Sequence, residues 1–191
     1  MTHYIGFVGK AGSGKDTAAR ILREEAWSRH QVNLLEASIA SPLKALCADL
    51  FWRAYGVPKR HFYGTQAEKE TPLTAYGLQV SGRQILQHVG TEGLKGVAPD
   101  VHVRLAFQSL GVLPEGGGVT FADIRFPEEA RAIRARGGCL VRMTRTRGLE
   151  DAHASETALD GYGCDYVLDN REWSKDQLRD RVVDLAHVLF T

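Results

Sequence analysis

No CxxC pair occurs anywhere in this 191-residue chain. Its three cysteines, Cys47, Cys139 and Cys164, are odd in number and far apart. That argues against a disulfide framework or a zinc site, and for buried thiols kept in a reducing compartment. Long hydrophobic runs are missing too. No apolar stretch approaches the roughly 18 residues of a membrane span, and no basic-then-apolar leader opens the chain. Net charge is almost absent. Lys and Arg number 24 against 23 Asp and Glu, for a formal charge of +1. Bulk electrostatics therefore speaks against a dedicated nucleic-acid or membrane-surface binder. There is no internal repeat and no low-complexity tail. The expectation is a cytoplasmic globular protein with neither nucleic acid nor membrane as partner.

What is present is an ordinary core composition: 43% hydrophobic and 25% charged residues. The length suits one compact domain with a full core. Apolar, β-prone residues at His3–Val8 predict a buried strand. A helix is expected from Lys15 to Arg29, with Ala18, Ile21, Leu22 and Ala26 at helical spacing. Val32–Ala37 reads as a strand, and Ser41-Pro42 opens a helix. Residues 56–80 are broken by Gly56, Pro58, Gly64, Pro72 and Gly77 and read as an insertion. Helical spacing returns from Gly82 and again over Val101–Leu110. "VTFAD" predicts a short buried strand ending in Asp123. Pro127 starts a helix that Gly137-Gly138 stops. "CLVRM" and "DYVL" are further strands around a polar excursion over 145–164. Ser174 and Gln177 form a capping-box signature before the last helix. Alternating strands and helices imply an α/β fold: a parallel sheet covered on both faces, three layers in all. Ligands of such sheets sit at the carboxyl ends of strands.

One stretch falls at such an end with specific chemistry. GKAGSGK, from Gly9 to Lys15, has the phosphate-loop spacing GxxxxGK between a strand and a helix. Glycines let backbone N–H groups converge on phosphate oxygens without Cβ clashes. The helix N-terminus adds partial positive charge, and Lys15 supplies a point charge for the outer phosphates. After the lysine, where Ser or Thr is usual, stand Asp16 and Thr17. Asp16 could hold Mg²⁺ directly or through water, and Thr17 could bond a phosphate oxygen. A phosphate loop alone names no reaction, since switches, motors and kinases share it. The absence of an N-K-x-D stretch lowers the guanine-nucleotide version of a switch.

Three other places could face the phosphate. Arg83, at a helix start, could bind a phosphate bidentately; taken alone it reads more readily as a solvated arginine on an amphipathic helix. Asp123 ends a buried strand, where a carboxylate needs a cation or donors; Mg²⁺, a substrate hydroxyl or a helix cap would each satisfy it. Arg125 and Glu129 follow at the start of the next helix. The excursion after "LVRMTRTR" carries Arg142, Arg145, Arg147, His153, Ser155 and Glu156. Arginines closing over a transferring phosphoryl group would stabilise its charge; an exposed basic loop is the plainer alternative.

The ordered set "GKAGSGKDTAA", "IASPLK", "EKETPL", "SGRQILQHVGTE", "DIRFPEEA" and "HASE" resembles the deoxynucleoside monophosphate kinases of tailed bacteriophages, over about residues 4–170. Phosphomevalonate and dephospho-coenzyme A kinases are similar more distantly. The resemblance implies a single P-loop kinase domain over 1–191, with a helical insertion that binds the nucleoside monophosphate near 42–110 and a short lid near 145–164. It implies transfer of the ATP γ-phosphoryl group to a deoxynucleoside 5′-monophosphate (dNMP), with ATP and Mg²⁺ bound by Gly12, Ser13, Gly14, Lys15, Asp16 and Thr17, Asp16 at the metal, and Arg142 nearby. Lys44, Arg83, Gly90, Thr91, Asp123, Arg125 and Glu129 match positions expected around the monophosphate. Lys15, Arg125 and Arg145 would neutralise the moving charge. A homodimer is compatible with the family, as is a host cytoplasm if the chain is viral. Where the family often has aromatics, after GTE and in the following helix, this chain has Gly93 and His102. The alternatives are a kinase of another small phosphorylated acceptor, a nucleotide-dependent switch, and a non-catalytic binding module.

Overall fold

The structure is a computed structural model, and it describes residues 2–145 and 157–191. The chain divides into two compact units, Met1–Ile39 with Leu110–Thr191, and Ala40–Ser109.

The first unit is built on a five-stranded sheet: β1 (His3–Val8), β2 (Leu34–Ala37), β3 (Gly118–Ile124), β4 (Cys139–Met143) and β5 (Tyr166–Leu168). Their order is β2-β3-β1-β4-β5, and every pairing is parallel. β1 thus lies at the centre, between β3 and β4, which puts the loop that follows it mid-sheet at the carboxyl ends.

Alternation along the strands serves both faces. Ile5 and Phe7 of β1, Val141 and Met143 of β4 and Ala122 of β3 share one core with Ala18, Ile21 and Leu22 of α1 (Lys15–His30) and Leu178, Val182 and Leu185 of α9 (Lys175–Phe190). On the other face a Cβ at Gly6 would meet Leu140, Ile124 and Ile133, the last from α8 (Pro127–Arg134). Phe7, Phe121, Leu22 and Leu140 are wholly buried, each worth roughly 1.5–3 kcal/mol by area.

The helix ends follow their sequence signals. Ser174 and Gln177 make the reciprocal capping box that starts α9. β2 begins two residues later than its apolar pattern suggests, for a local reason. Gln31 adopts a left-handed conformation, φ 56°, at the end of α1, and the Val32 N–H donates back to Ala26 O at 2.9 Å. Val32 therefore closes the helix instead of joining the sheet.

The second unit has its own core of Leu43, Cys47, Ala48, Val57, Phe62, Leu73 and Ile85. α2 (Ser41–Tyr55) carries the first three. The broken stretch 56–80 becomes two short helices, α3 (Arg60–Tyr63) and α4 (Gln66–Glu70), and one 3₁₀ turn, Thr74–Tyr76. α5 (Gly82–Gln87) runs into a wide π-type turn over His88–Leu94, then α6 (Lys95–Val97) and α7 (Val101–Ser109). Among the described residues no helix is long and apolar enough to cross a membrane.

No disulfide links the cysteines. Burial pushes the thiols of Cys47 and Cys139 up to about 11, Asp165 adding to the effect at Cys139. Both are expected to react with iodoacetamide at pH 7.5 far more slowly than in the urea-unfolded chain. The sign for stability follows. The neutral thiols are accommodated at full stability below the unfolded value near 9, and stability is lost as pH rises from there through about 11. Unfolding midpoints measured between pH 8 and 11 check this.

Candidate active site

The chain leaves β1 at Gly9 with φ 153°. A Cβ there would stand 2.7 Å from Met143 O and 2.8 Å from Ser13 Oγ, so only glycine fits both the angle and the space. The Ser13 N–H donates to Lys10 O at 3.2 Å and closes the turn. Gly14, φ 93°, precedes α1, which has no side-chain cap. The positive end of a 16-residue helix is thus left to the loop itself.

Lys15 is only 7% exposed, and burying an ammonium demands acceptors. Its Nζ donates to Gly9 O at 2.5 Å and Lys10 O at 2.7 Å, with Ser13 Oγ at 3.4 Å. The lysine is therefore folded back over the loop that precedes it. Gly12 and Asp16 are exposed, and Thr17 is half-buried.

Beside this loop lies a cavity of about 220 Å³, lined by Gly9, Lys10, Arg125, Arg142, Thr144 and Arg145 among others. It opens at the carboxyl ends of β1, β3 and β4. Arg125 is placed there by its neighbour: the buried Glu129 carboxylate accepts from the Arg125 N–H at 2.7 Å and the Phe126 N–H at 3.1 Å. Glu129 thus caps α8 with charge-assisted bonds. Glu129→Ala should lower unfolding free energy by about 2 kcal/mol in a urea titration.

Asp123 sits half-buried at the end of β3. Its carboxylate accepts from Ser38 Oγ at 2.6 Å and from the Ile39 N–H at 3.0 Å. The Arg142 guanidinium donates to Leu159 O at 2.9 Å and Tyr162 O at 2.7 Å, which ties β4 to the turn late in the excursion. Arg145 is half-buried, and its N–H donates to Asn170 Oδ1 at 3.0 Å. Lys10 and Asp160 approach to 3.9 Å, both well exposed, a pair worth little. The structure thus brings Gly12–Thr17, Arg125, Arg142 and Arg145 to one end of the sheet. Arg147, His153, Ser155 and Glu156 lie outside the described residues.

The remaining candidates belong to the second unit. Lys44 is half-buried in the first turn of α2, and Thr91 half-buried in the π-type turn. Arg83, 29% exposed at the start of α5, lies 3.7 Å from Glu70. Gly90 is buried, and a Cβ on it would press into Leu43. His102 occupies the position where an aromatic was expected. It is buried, and its Nε2 donates to Gly90 O at 3.1 Å. A carbonyl only accepts, so this bond fixes the proton on Nε2.

Three functional-looking residues carry no sequence motif. Ser38 holds Asp123 across 85 residues. Thr144 Oγ1 donates to Asp169 Oδ1 at 2.6 Å, and Asn170 reaches Ser13 O at 2.8 Å. The Arg171 guanidinium, helped by Thr144, holds the exposed Asp169 carboxyl well below the usual carboxylate range. The one signal available was position: "LDN" lies at the carboxyl end of β5.

A mid-sheet glycine loop, a buried lysine folded over it and arginines at the neighbouring strand ends define a phosphate-loop protein of the nucleotide-binding α/β class. No protein-family model matches the chain. A protein of Acanthamoeba polyphaga mimivirus named "Putative deoxynucleotide monophosphate kinase" is 33% identical over 167 residues, 81% of each chain. The chain belongs to the deoxynucleotide monophosphate kinase family, and it is a kinase. Among solved structures it aligns with a mutant of the APS kinase CysC of Mycobacterium tuberculosis at TM-score 0.43 and 14% identity, over 97% of this chain and 98% of that one. It aligns with the shikimate kinase of Acinetobacter baumannii in complex with shikimate at TM-score 0.46 and 13% identity, over 98% and 94%.

Proposed function

We propose that this kinase transfers the γ-phosphoryl group of ATP to a deoxynucleoside 5′-monophosphate, giving the diphosphate. The observation that carries the reading is Lys15 folded onto the Gly9 and Lys10 carbonyls, beside a cavity lined by Arg125 and Arg145. Phosphate oxygens are stronger acceptors for an ammonium than these carbonyls. A triphosphate tail in the loop would take Lys15 Nζ at its outer phosphates and the helix end at its inner ones. Arg145 and Arg125 line the cavity beside the loop, and they are the arginines given the developing charge.

The donor set also fits Mg²⁺. Among the described residues no three or more His, Cys, Asp or Glu gather as a metal site. An exposed Asp16 beside Lys15, with Thr17 next to it, suits an ion that keeps most of its shell as water and phosphate oxygen. Bound there, the ion would supply charge neutralisation on the phosphates. The chain's own part is positioning: Lys15 and the loop align the donor, while Arg125 takes the acceptor's phosphate. In-line placement and fixed positive charge suffice for phosphoryl transfer, without a covalent intermediate.

ADP release measured with ATP and every deoxy- and ribonucleoside monophosphate, plus phosphomevalonate and dephospho-coenzyme A, tests this. Deoxynucleoside monophosphates should be the best acceptors. Turnover confined to a non-nucleotide acceptor ends the reading.

A further inference from the structure

Asn170 follows β5 and is 2% exposed, and both ends of its side-chain amide are used. Nδ2–H donates to Ser13 O at 2.8 Å, 157 residues away in sequence. Oδ1 accepts from the Arg145 N–H at 3.0 Å. The Asn170 N–H in turn donates to Leu168 O at 3.0 Å, which pins the residue to the end of β5. The amide's orientation is set by chemistry. Ser13 O can only accept and the Arg145 N–H can only donate, so a flipped amide would oppose donor to donor and acceptor to acceptor.

We infer that Asn170 is a positioning residue: one amide holds the phosphate loop and the first residue of the arginine-bearing excursion in register. The inference rests on the loop binding the triphosphate of ATP, as proposed above. The Ser13 carbonyl belongs to the peptide whose N–H is that of Gly14. The peptide is planar and trans, so its C=O and N–H point in opposite directions. Fastening Ser13 O to Asn170 therefore fixes the direction of the Gly14 N–H, on the side away from Asn170. That N–H is one of the loop donors a phosphate would use. The same side chain fixes the Arg145 backbone, and so the point from which that guanidinium reaches the cavity. The loop donor and the Arg145 backbone are thus set by one group.

A buried carbonyl needs a donor in any case, so a purely structural role is the rival. Asn170→Asp separates the two. It keeps shape and keeps the acceptor for Arg145, but loses the donor to Ser13 O. Protonation of the introduced carboxyl restores an O–H donor, and burial against a carbonyl raises the pH at which that happens. Binding of a fluorescent ATP analogue should be about 30-fold weaker than wild type at pH 8. The deficit should shrink to within about fivefold at pH 5.5, each compared with wild type at the same pH. Asn170→Ala, with no donor at any pH, should show a deficit of about tenfold, or about 1.4 kcal/mol, that does not change with pH. Should the carboxylate variant not fold, the alanine variant decides. Affinity within twofold of wild type in folded Asn170→Ala, with only a lowered unfolding temperature, overturns the inference. So does a pH-independent deficit in Asn170→Asp. Because the readout is nucleotide binding, absence of transfer to any monophosphate would fail the acceptor reading and leave this test standing.

Discussion

Lys15→Ala lowers kcat for phosphoryl transfer by about 10³-fold or more, while the fold survives. The expected size follows from the charge removed. A fixed cation on a transferring phosphoryl group in a partly dry loop contributes about 4 kcal/mol to the transition state, or roughly 10³ in rate. Stability moves much less. Nζ serves Gly9 O and Lys10 O at 2.5 and 2.7 Å, and losing such donors from part-buried carbonyls costs about 1–2 kcal/mol. For a chain near 200 residues that is a fall of roughly 2–8 °C in Tm. A coupled ADP assay beside a thermal melt separates the two effects. Turnover near the wild-type rate in folded Lys15→Ala would remove the lysine, and with it the cradle, from the chemistry.

The loop was legible because its constraint is local. Glycines at fixed spacing, a preceding strand and a following helix are all written within a dozen residues, and the structure puts Gly9 and Gly14 at positive φ there. The parallel sheet was legible for a similar reason: buried strands without polar alternation, separated by helices, leave few other packings. Most of the connections that organise the site are long-range, and no local pattern encodes them. Asp123 announced itself as a carboxylate at a buried strand end, but its partners, Ser38 and Ile39, lie 85 and 84 residues away. Asn170 carries no local motif at all, because its donor and acceptor partners are set by the adjacency of β1, β4 and β5. Glu129 matched a position expected around the monophosphate in "DIRFPEEA"; its carboxylate accepts from the Arg125 and Phe126 N–H groups just before α8, a tie hidden in the sequence because Phe126 stands where a capping box has Ser or Thr. His102 followed from neither rule. A buried ring bonded to Gly90 O fills a place where the family often has an aromatic.

Arg125→Ala raises the KM for the monophosphate acceptor by about 10- to 100-fold and leaves the KM for ATP within about threefold. The asymmetry is the substance of the prediction. Arg125 sits past the end of β3, not in the phosphate loop, and it lines the cavity together with Arg145. Its backbone is held by Glu129 through the main-chain N–H, so truncating the side chain leaves the α8 cap in place and removes mainly the guanidinium. A guanidinium that grips a phosphate bidentately is worth about 1.5–3 kcal/mol, which is the 10- to 100-fold range. Arg83→Ala in the second unit is expected to act in the same direction. Arg83 lies 3.7 Å from Glu70, which is more than half exposed, and such a pair contributes little. Steady-state kinetics varying each substrate in turn reads both variants. An equal rise in both KM values would move that arginine to the ATP side of the reaction, and an unchanged acceptor KM in both variants would leave the acceptor phosphate without its proposed clamp.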